Sequence, residues 1–271
     1  TFEAIKKDYM LDNLFKGEYL LCGYPRNKIF HDLEMQKSIR EELNLQNKKV
    51  IVFMPTWRGS LGNRKDDDQF IYIMHLLMEL EKKLSDDYII LTKLHQLSSS
   101  IVNFRKFEKI FSFPDGYETY EVLSCADILI TDYSSVFFDF ANTNKKIILY
   151  AYDYDQYFED RGMYLNYKDL PFPIVYNEID LIREIENPVV TSYSRQMKKY
   201  ILNDEKVDVL AICNLFIQNK KTPKIERILG LNYSNNKENV LIFTGSWAKN
   251  GITTALKNLL DSTSSDKNYY L

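Results

Sequence analysis

Along the first two thirds of the chain, short apolar blocks alternate with longer amphipathic stretches. Tyr19 to Gly23, Val50 to Met54, Tyr88 to Lys93, Ile110 to Phe113, Asp127 to Thr131 and Lys146 to Tyr150 are each too short for a buried helix. Runs of this length, rich in Val, Ile and Leu, predict strands covered on both faces. Between them, Lys28 to Leu43 and Phe70 to Leu84 place apolar residues at helical spacing, and Val136 to Phe140 reads as the opening turns of another helix. Such alternation predicts an α/β fold with a parallel sheet and helices on both faces. From Glu178 the pattern turns helical, with Ile179 to Glu186, Tyr193 to Leu202 and Val207 to Gln218 as candidates. Asn219 to Lys237, polar and carrying Pro223 and Gly230, reads as a linker. Beyond it, Val240 to Phe243, the turn Thr244-Gly245-Ser246 and Thr253 to Leu260 predict a terminal βα unit that cannot bury its own faces alone.

The richest segment is Ala126 to Asn142, ADILITDYSSVFFDFAN. Its strand ends in Thr131-Asp132-Tyr133, and Ser134-Ser135 follow at the amino end of the next helix. Free N–H groups and the positive end of the helix dipole meet there, which suits a phosphate. The serine hydroxyls can cap the helix or hold that phosphate. Asp139 lies one turn beyond Ser135 on the same face. A carboxylate repels a neighbouring phosphate, so Asp139 is expected to meet a hydroxyl or a cation. Polar signatures recur wherever a strand ends, the edge at which open α/β sheets bind ligands.

Composition narrows the classes. With 45% hydrophobic and 27% charged residues in 271, the chain has the make-up of an ordinary globular protein, large enough for one or two domains. A net charge of −3 argues against nucleic acid as a partner. No apolar run approaches the roughly 20 residues that span a bilayer, and the opening residues do not read as a secretory signal. Cys22, Cys125 and Cys213 show no metal-binding spacing and read as small core residues in a reducing compartment.

Several side chains at strand ends carry candidate chemistry. His95 follows a strand and could donate to a phosphate oxygen, accept a proton, or simply bond to backbone. Arg26, after Pro25, could pair bidentately with phosphate or brace the fold. Arg58 opens a loop, Gly59 to Asp68, whose glycines and mixed charges suit a mobile flap, and Asp66-Asp67-Asp68 reads as solvated surface. His31 and His75 read as structural. Tyrosines 150, 152, 154, 157, 164 and 167 either pave an acceptor-facing surface or form half-buried packing.

The string D-Y-S-S-x-x-F-D-F at Asp132 to Phe140 resembles the CDP-glycerol glycerophosphotransferases, the teichoic-acid polyol-phosphate transferases and polymerases. Gly23-Tyr24-Pro25-Arg26-Asn27, Pro55-Thr56-Trp57-Arg58, Lys93-Leu94-His95 and Arg161-Gly162 match in the same order, so the resemblance covers roughly residues 10 to 215. It departs at Lys28, where the family usually has Asp, and at Gln96, where it usually has Pro. The resemblance implies a two-lobed GT-B-type enzyme of which residues 1 to 22 end the first lobe and residues 23 to 218 form the donor lobe. Residues 219 to 238 are then a linker and 239 to 271 a βα unit similar to the start of a nucleotide-sugar glycosyltransferase. The opening Thr1 fits a piece of something longer.

By resemblance, Arg26, Thr56, Trp57, Arg58, Leu94, His95, Gln96, Asp132, Ser134, Ser135 and Asp139 contact CDP-glycerol, with His95 and Asp139 also catalytic. The implied reaction is attack of an acceptor hydroxyl on the β-phosphorus, releasing CMP, in teichoic-acid or capsule-type polymer synthesis. No metal or other cofactor is expected. The implied acceptor is lipid-linked, which puts the enzyme at the cytoplasmic face of the membrane, held there through parts outside this chain. Two rival readings stand beside this one, a GT-B nucleotide-sugar glycosyltransferase and a nucleotide-binding remnant without turnover.

Overall fold

Each apolar block of the region from Val50 to Tyr150 becomes a strand of one sheet in the computed structural model. The structure describes residues 2–11, 18–20, 23–58, 65–94, 102–163, 166–189, 209–218, 227–229, 238–241 and 267–270. The strands are β1 (Lys49–Met54), β2 (Tyr88–Thr92), β3 (Ile110–Ser112), β4 (Ile128–Thr131), β5 (Lys146–Tyr150) and β6 (Ile174–Val175). Their order is β3-β2-β1-β4-β5-β6, with every neighbouring pair parallel. Ile51 of β1 lies beside Ile90 of β2 and Ile128 of β4. The chain therefore builds outward from β1 to one side, returns, and builds outward from β4 to the other. The connections after β1 and β4 thus run to opposite sides of the sheet, which makes the carboxyl edge between them the switch point, the place at which ligands bind in such sheets.

Period-two alternation sorts the strand residues onto two buried faces. Val50, Val52, Leu91, Leu129, Ile147 and Leu149 join one core, with Phe137, Phe140 and Tyr167. Ile51, Phe53, Ile90, Ile130 and Ile148 join the other, with Leu76, Leu77, Leu80 and Leu181. Both faces are covered, which is why the strands read as continuous apolar runs rather than as half-polar ones.

The helices of this unit are α1 (Leu33–Glu42), α2 (Lys65–Lys83), α3 (Thr119–Cys125), α4 (Val136–Phe140), α5 (Tyr154–Asp160) and α6 (Glu178–Glu186). The single helix predicted over Lys28 to Leu43 is broken. Pro25–His31 forms a 3-10 helix, and Asp32 then caps α1 by accepting the Met35 N–H at 3.1 Å. Helix α2 begins earlier than its apolar pattern, so Asp66-Asp67-Asp68 belong to helix rather than to the expected flap. Helices α3 and α5 and the two-residue β6 escape the periodicity. The start of α3 is marked by the Glu121 carboxylate accepting the Glu118 N–H at 2.8 Å. Buried Lys146 donates from Nζ to the Glu184 and Asn187 carbonyls and so ties the end of α6 to β5.

The chain divides into two compact units, Gly23–Asp208 and Thr1–Cys22 together with Val209–Leu271. In the smaller one, helices span Phe2–Asp8 and Val209–Ile217, Glu18–Leu20 pairs antiparallel with Arg227–Leu229, and Glu238–Leu241 pairs parallel with Lys267–Tyr270. The sequence reading gives the helix near 209 to the donor lobe. The structure groups it with the N-terminal segment, because the strand predicted at Tyr19 to Gly23 pairs at residues 18–20 with a partner far along the chain, not with the main sheet. The predicted helices Tyr193 to Leu202 and Thr253 to Leu260, and the turn at 244–246, lie outside the described residues.

Phe140 is fully buried where α4 meets the sheet and packs edge-on against Phe30 with ring centroids 6.2 Å apart. Replacing Phe140 by Ala is expected to cost about 3–5 kcal/mol through the cavity it leaves. Urea unfolding followed by circular dichroism would show this as a lower midpoint at unchanged slope.

Candidate functional site

The loops that leave β1 and β4 meet at one side chain. Asp132 directly follows β4, is 2% exposed, and turns its carboxylate toward the loop after β1. It accepts the Thr56 N–H at 2.9 and 3.0 Å, the Thr56 hydroxyl at 2.6 Å, the Tyr133 N–H at 2.7 Å and Arg58 Nη2 at 2.7 Å. Burial pushes the carboxyl pKa upward while Arg58 and Thr56 pull against it. The surrounding ring of donors fits the ionised form, since an added proton would face only other N–H and O–H groups.

Arg58 continues the network. Its Nε donates to Asp153 Oδ2 at 2.6 Å and its Nη2 to Asp153 Oδ1 at 3.1 Å, and its Nη1 bonds to the Thr56 carbonyl. The guanidinium lies 4.9 Å from the Tyr133 ring centroid and 5.1 Å from that of Tyr157, and these two rings stack at 3.7 Å. Burial works against the Arg58 charge, but hydrogen bonding to Asp153 and the fields of Asp132 and Asp153 outweigh it and hold the pKa above its ordinary range. Gln69 of α2 accepts the Arg58 N–H and donates to the Thr56 carbonyl. Tyr167 donates to the Asp132 carbonyl at 3.1 Å. The sequence reading places Thr56, Arg58 and Asp132 on the donor. The structure brings all three together, joined mainly to one another.

A second cluster forms around Asp139, which sits on the inward side of α4 and is 4% exposed. Its carboxylate accepts from Arg26 Nη2 at 3.0 and 3.3 Å, Asn27 Nδ2 at 3.0 Å and the Tyr120 hydroxyl at 2.6 Å. Asp139 is expected from the sequence to meet a hydroxyl or a cation, and within the chain it meets both, because the 3-10 helix and α3 pack against the face on which it lies. Arg26 keeps half its side chain exposed, with Nε and Nη1 unpaired among the described residues. It also packs 4.3 Å from the Tyr24 ring centroid. Burial and the bond to Asp139 push the Tyr120 hydroxyl pKa up to about 12, so Tyr120 stays a donor at neutral pH.

Ser134 is partly buried and Ser135 exposed at the start of α4. Ser134 Oγ accepts the Val136 N–H at 3.4 Å, a weak cap, while Ser135 makes no capping bond. Trp57 is partly buried in the loop after β1, and Leu94 packs on the second core. His95 and Gln96 lie outside the described residues, as does the loop at 59–64. Tyr120, Asn27, Asp153 and Gln69 are the partners that sequence reasoning did not assign. Asn27 stands inside a quoted motif, and Asp153 marks the start of α5, but nothing local ties any of the four to its partner.

A cleft of about 490 Å³ opens beside the switch point, where β2 and β3 end. Thr92, Lys93 and Leu94 line one wall, and Phe113 to Tyr117 the other. Lys93 Nζ lies 4.4 Å from the Phe113 ring centroid. Gly116, at φ +82°, supplies the left-handed turn this loop requires.

A parallel sheet of this strand order with polar loops converging on its switch point defines a doubly wound α/β domain. Residues 6–208 match the family model described as CDP-glycerol:poly(glycerophosphate) glycerophosphotransferase, and the chain belongs to that family. It is 38% identical over 183 residues to the teichoic acid poly(glycerol phosphate) polymerase of Staphylococcus epidermidis, a match covering 62% of this chain and 24% of the relative. It is 33% identical over 200 residues to the teichoic acid glycerol-phosphate primase of Bacillus subtilis, covering 69% of this chain and 51% of the relative. The structure of the wall teichoic acid polymerase TagF superposes with a TM-score of 0.57 at 33% identity, covering 73% of this chain and 51% of that one. The chain thus spans about a quarter to a half of the length of these relatives.

Two substitutions test the networks. Arg58→Ala strands Asp132 and Asp153 without a counter-charge and is expected to cost about 3–5 kcal/mol. Tyr120→Phe keeps the ring and removes one bond to a charged acceptor, an expected loss of about 1.5–3 kcal/mol. Denaturant titration of both variants should rank Arg58→Ala as the more damaging.

Proposed function

We propose that this chain binds the CDP moiety of CDP-glycerol, or of another CDP-polyol, and contributes to transfer of polyol phosphate onto an acceptor hydroxyl in teichoic-acid or capsule-type polymer synthesis. The observation that carries the reading is the meeting of Thr56 and Arg58 with Asp132 at the switch point, on the same carboxyl edge of the sheet as the cleft at the ends of β2 and β3. Membership of the glycerophosphotransferase family supports the donor class, as does the likeness to TagF, whose crystals were also soaked with CDPG.

The chemistry follows from the groups available. The acceptor oxygen attacks the β-phosphorus, the bond from that phosphorus to the bridging oxygen breaks, and CMP leaves carrying the negative charge. A cation near the diphosphate stabilises that charge as it develops. Lys93 in the cleft and the exposed donors of Arg26 are the groups placed to do so. A base must take the hydroxyl proton, and His95 is the proposed one. Asp139 acts at one remove, by holding Arg26. The proposed acceptor is lipid-linked, and the proposed place of work is the cytoplasmic membrane face. Among the described residues no helix is long and apolar enough to cross a membrane.

Isothermal titration of the 271-residue protein with CDP-glycerol, with UDP-glucose as control, tests the donor. Selective binding of CDP-glycerol, weakened about tenfold or more in Lys93→Ala, is expected from loss of a charged phosphate contact. Equal binding of UDP-glucose would favour a sugar-nucleotide transferase instead, and no binding of either would sink the donor reading.

A further inference from the structure

On the other side of the switch point, where β5 ends, a second pocket of about 230 Å³ lies between the start of α2 and helix α5. Its size is below the roughly 300–1,000 Å³ typical of drug-sized ligands and suits a small molecule. Tyr72 and Tyr152 form one aromatic wall, stacked with centroids 4.0 Å apart, and Tyr157 forms another, itself stacked on Tyr133.

The polar groups here divide into two sets. Gln69, Arg58 and Asp153 are taken up by the network around Asp132, and Tyr72 shares its hydroxyl with that of Tyr150. The Tyr152 and Tyr157 hydroxyls and the Gln156 amide, by contrast, make no hydrogen bond among the described residues. Arg161 sits at the mouth, spends Nη2 on the Arg58 carbonyl at 3.2 Å, and pairs with no carboxylate among the described residues. Asp160 also lines the rim.

Aromatic faces cover the C–H surface of a polyhydroxylated chain, while amides and phenols answer its hydroxyls. A guanidinium with open donors answers a phosphodiester in a bidentate geometry that an ammonium cannot reproduce. We infer that this pocket is a polyol-phosphate subsite, in which the tyrosines and Gln156 hold a polyol unit of the acceptor chain and Arg161 holds its phosphodiester. The assignment rests on the donor reading above for its role in transfer, and on the pocket alone for its ligand. The pocket and the nucleotide cleft lie on opposite sides of the switch point, so the unit held here is one further along the acceptor chain than the unit whose hydroxyl attacks.

Glycerophosphoglycerol, two glycerols joined by one phosphodiester, is the probe. Its binding to the 271-residue protein is measured by titration calorimetry, alongside CDP-glycerol, for the unaltered chain and for Gln156→Ala, Arg161→Ala and Arg161→Lys. Arg161→Ala is expected to weaken the probe about tenfold or more and Gln156→Ala by a smaller factor, with Arg161→Lys recovering only part. CDP-glycerol affinity should change little in all three. Loss of CDP-glycerol binding by the unaltered chain, with probe binding intact and sensitive to these variants, would remove the donor reading and keep the subsite. Absence of probe binding, indifference of the probe to both alanine variants, or equal loss of both ligands would overturn the subsite. Gln156 is exposed, so Gln156→Ala tests the pocket even where Arg161→Ala disturbs folding.

Discussion

The carboxylate of Asp132 is the constraint on which the site depends. It is buried at the one place where two neighbouring strands send their chains in opposite directions. A charge there needs compensation, and the neighbouring loop supplies it through the Thr56 backbone and hydroxyl and the Arg58 guanidinium. Removing either side of this arrangement leaves the other desolvated and unpaired, which costs far more than the pair contributes. The switch point is therefore braced before any ligand binds at the sheet's carboxyl edge. Electrostatic preorganisation of that kind makes a developing charge on a phosphate easier to stabilise.

Around this network the tyrosines act as a low-dielectric sleeve. Burial pushes the hydroxyls of Tyr133, Tyr150, Tyr152 and Tyr167 well above their ordinary pKa, so they remain neutral donors. The Tyr133, Tyr152 and Tyr157 rings shield the Arg58 guanidinium and strengthen its bonds to Asp153. The Asp139 cluster repeats the principle at the entry to the domain, with Arg26, Asn27 and Tyr120 in the corresponding roles. The difference is exposure. Arg58 has a side chain 10% exposed and Arg26 one that is 50% exposed, so only Arg26 has donors left for an outside anion. The two arginines look alike as motif members, and their surroundings give them different work.

Much of the sheet was legible because period-two burial leaves a plain imprint. Val50 to Met54 and Lys146 to Tyr150 are unbroken apolar runs for the same reason that they are central strands. Helices α3 and α5 were not legible. Thr119–Cys125 is short and capped by a glutamate where serine or aspartate is the usual signal, and Tyr154–Asp160 has aromatic residues with no clear stripe. The break at Asp32 was readable in principle as an N-cap, but the apolar pattern runs through it and hid it.

The site divides along the same line. Strand ends, the serine-bearing turn after β4 and the order of the motifs follow from local sequence, because backbone direction and side-chain type decide them within a few residues. Partnership does not follow from local sequence. That Asp139 would meet Arg26 across 113 positions, or that Asp153 would share Arg58 with Asp132, depends on how the sheet and its helices pack. The sequence by itself determined an α/β domain with a polar edge and the residues able to do chemistry there. Only the tertiary structure decided which of them are consumed in holding the edge together and which remain free, since charge compensation in a buried site is settled by three-dimensional neighbours and not by spacing along the chain.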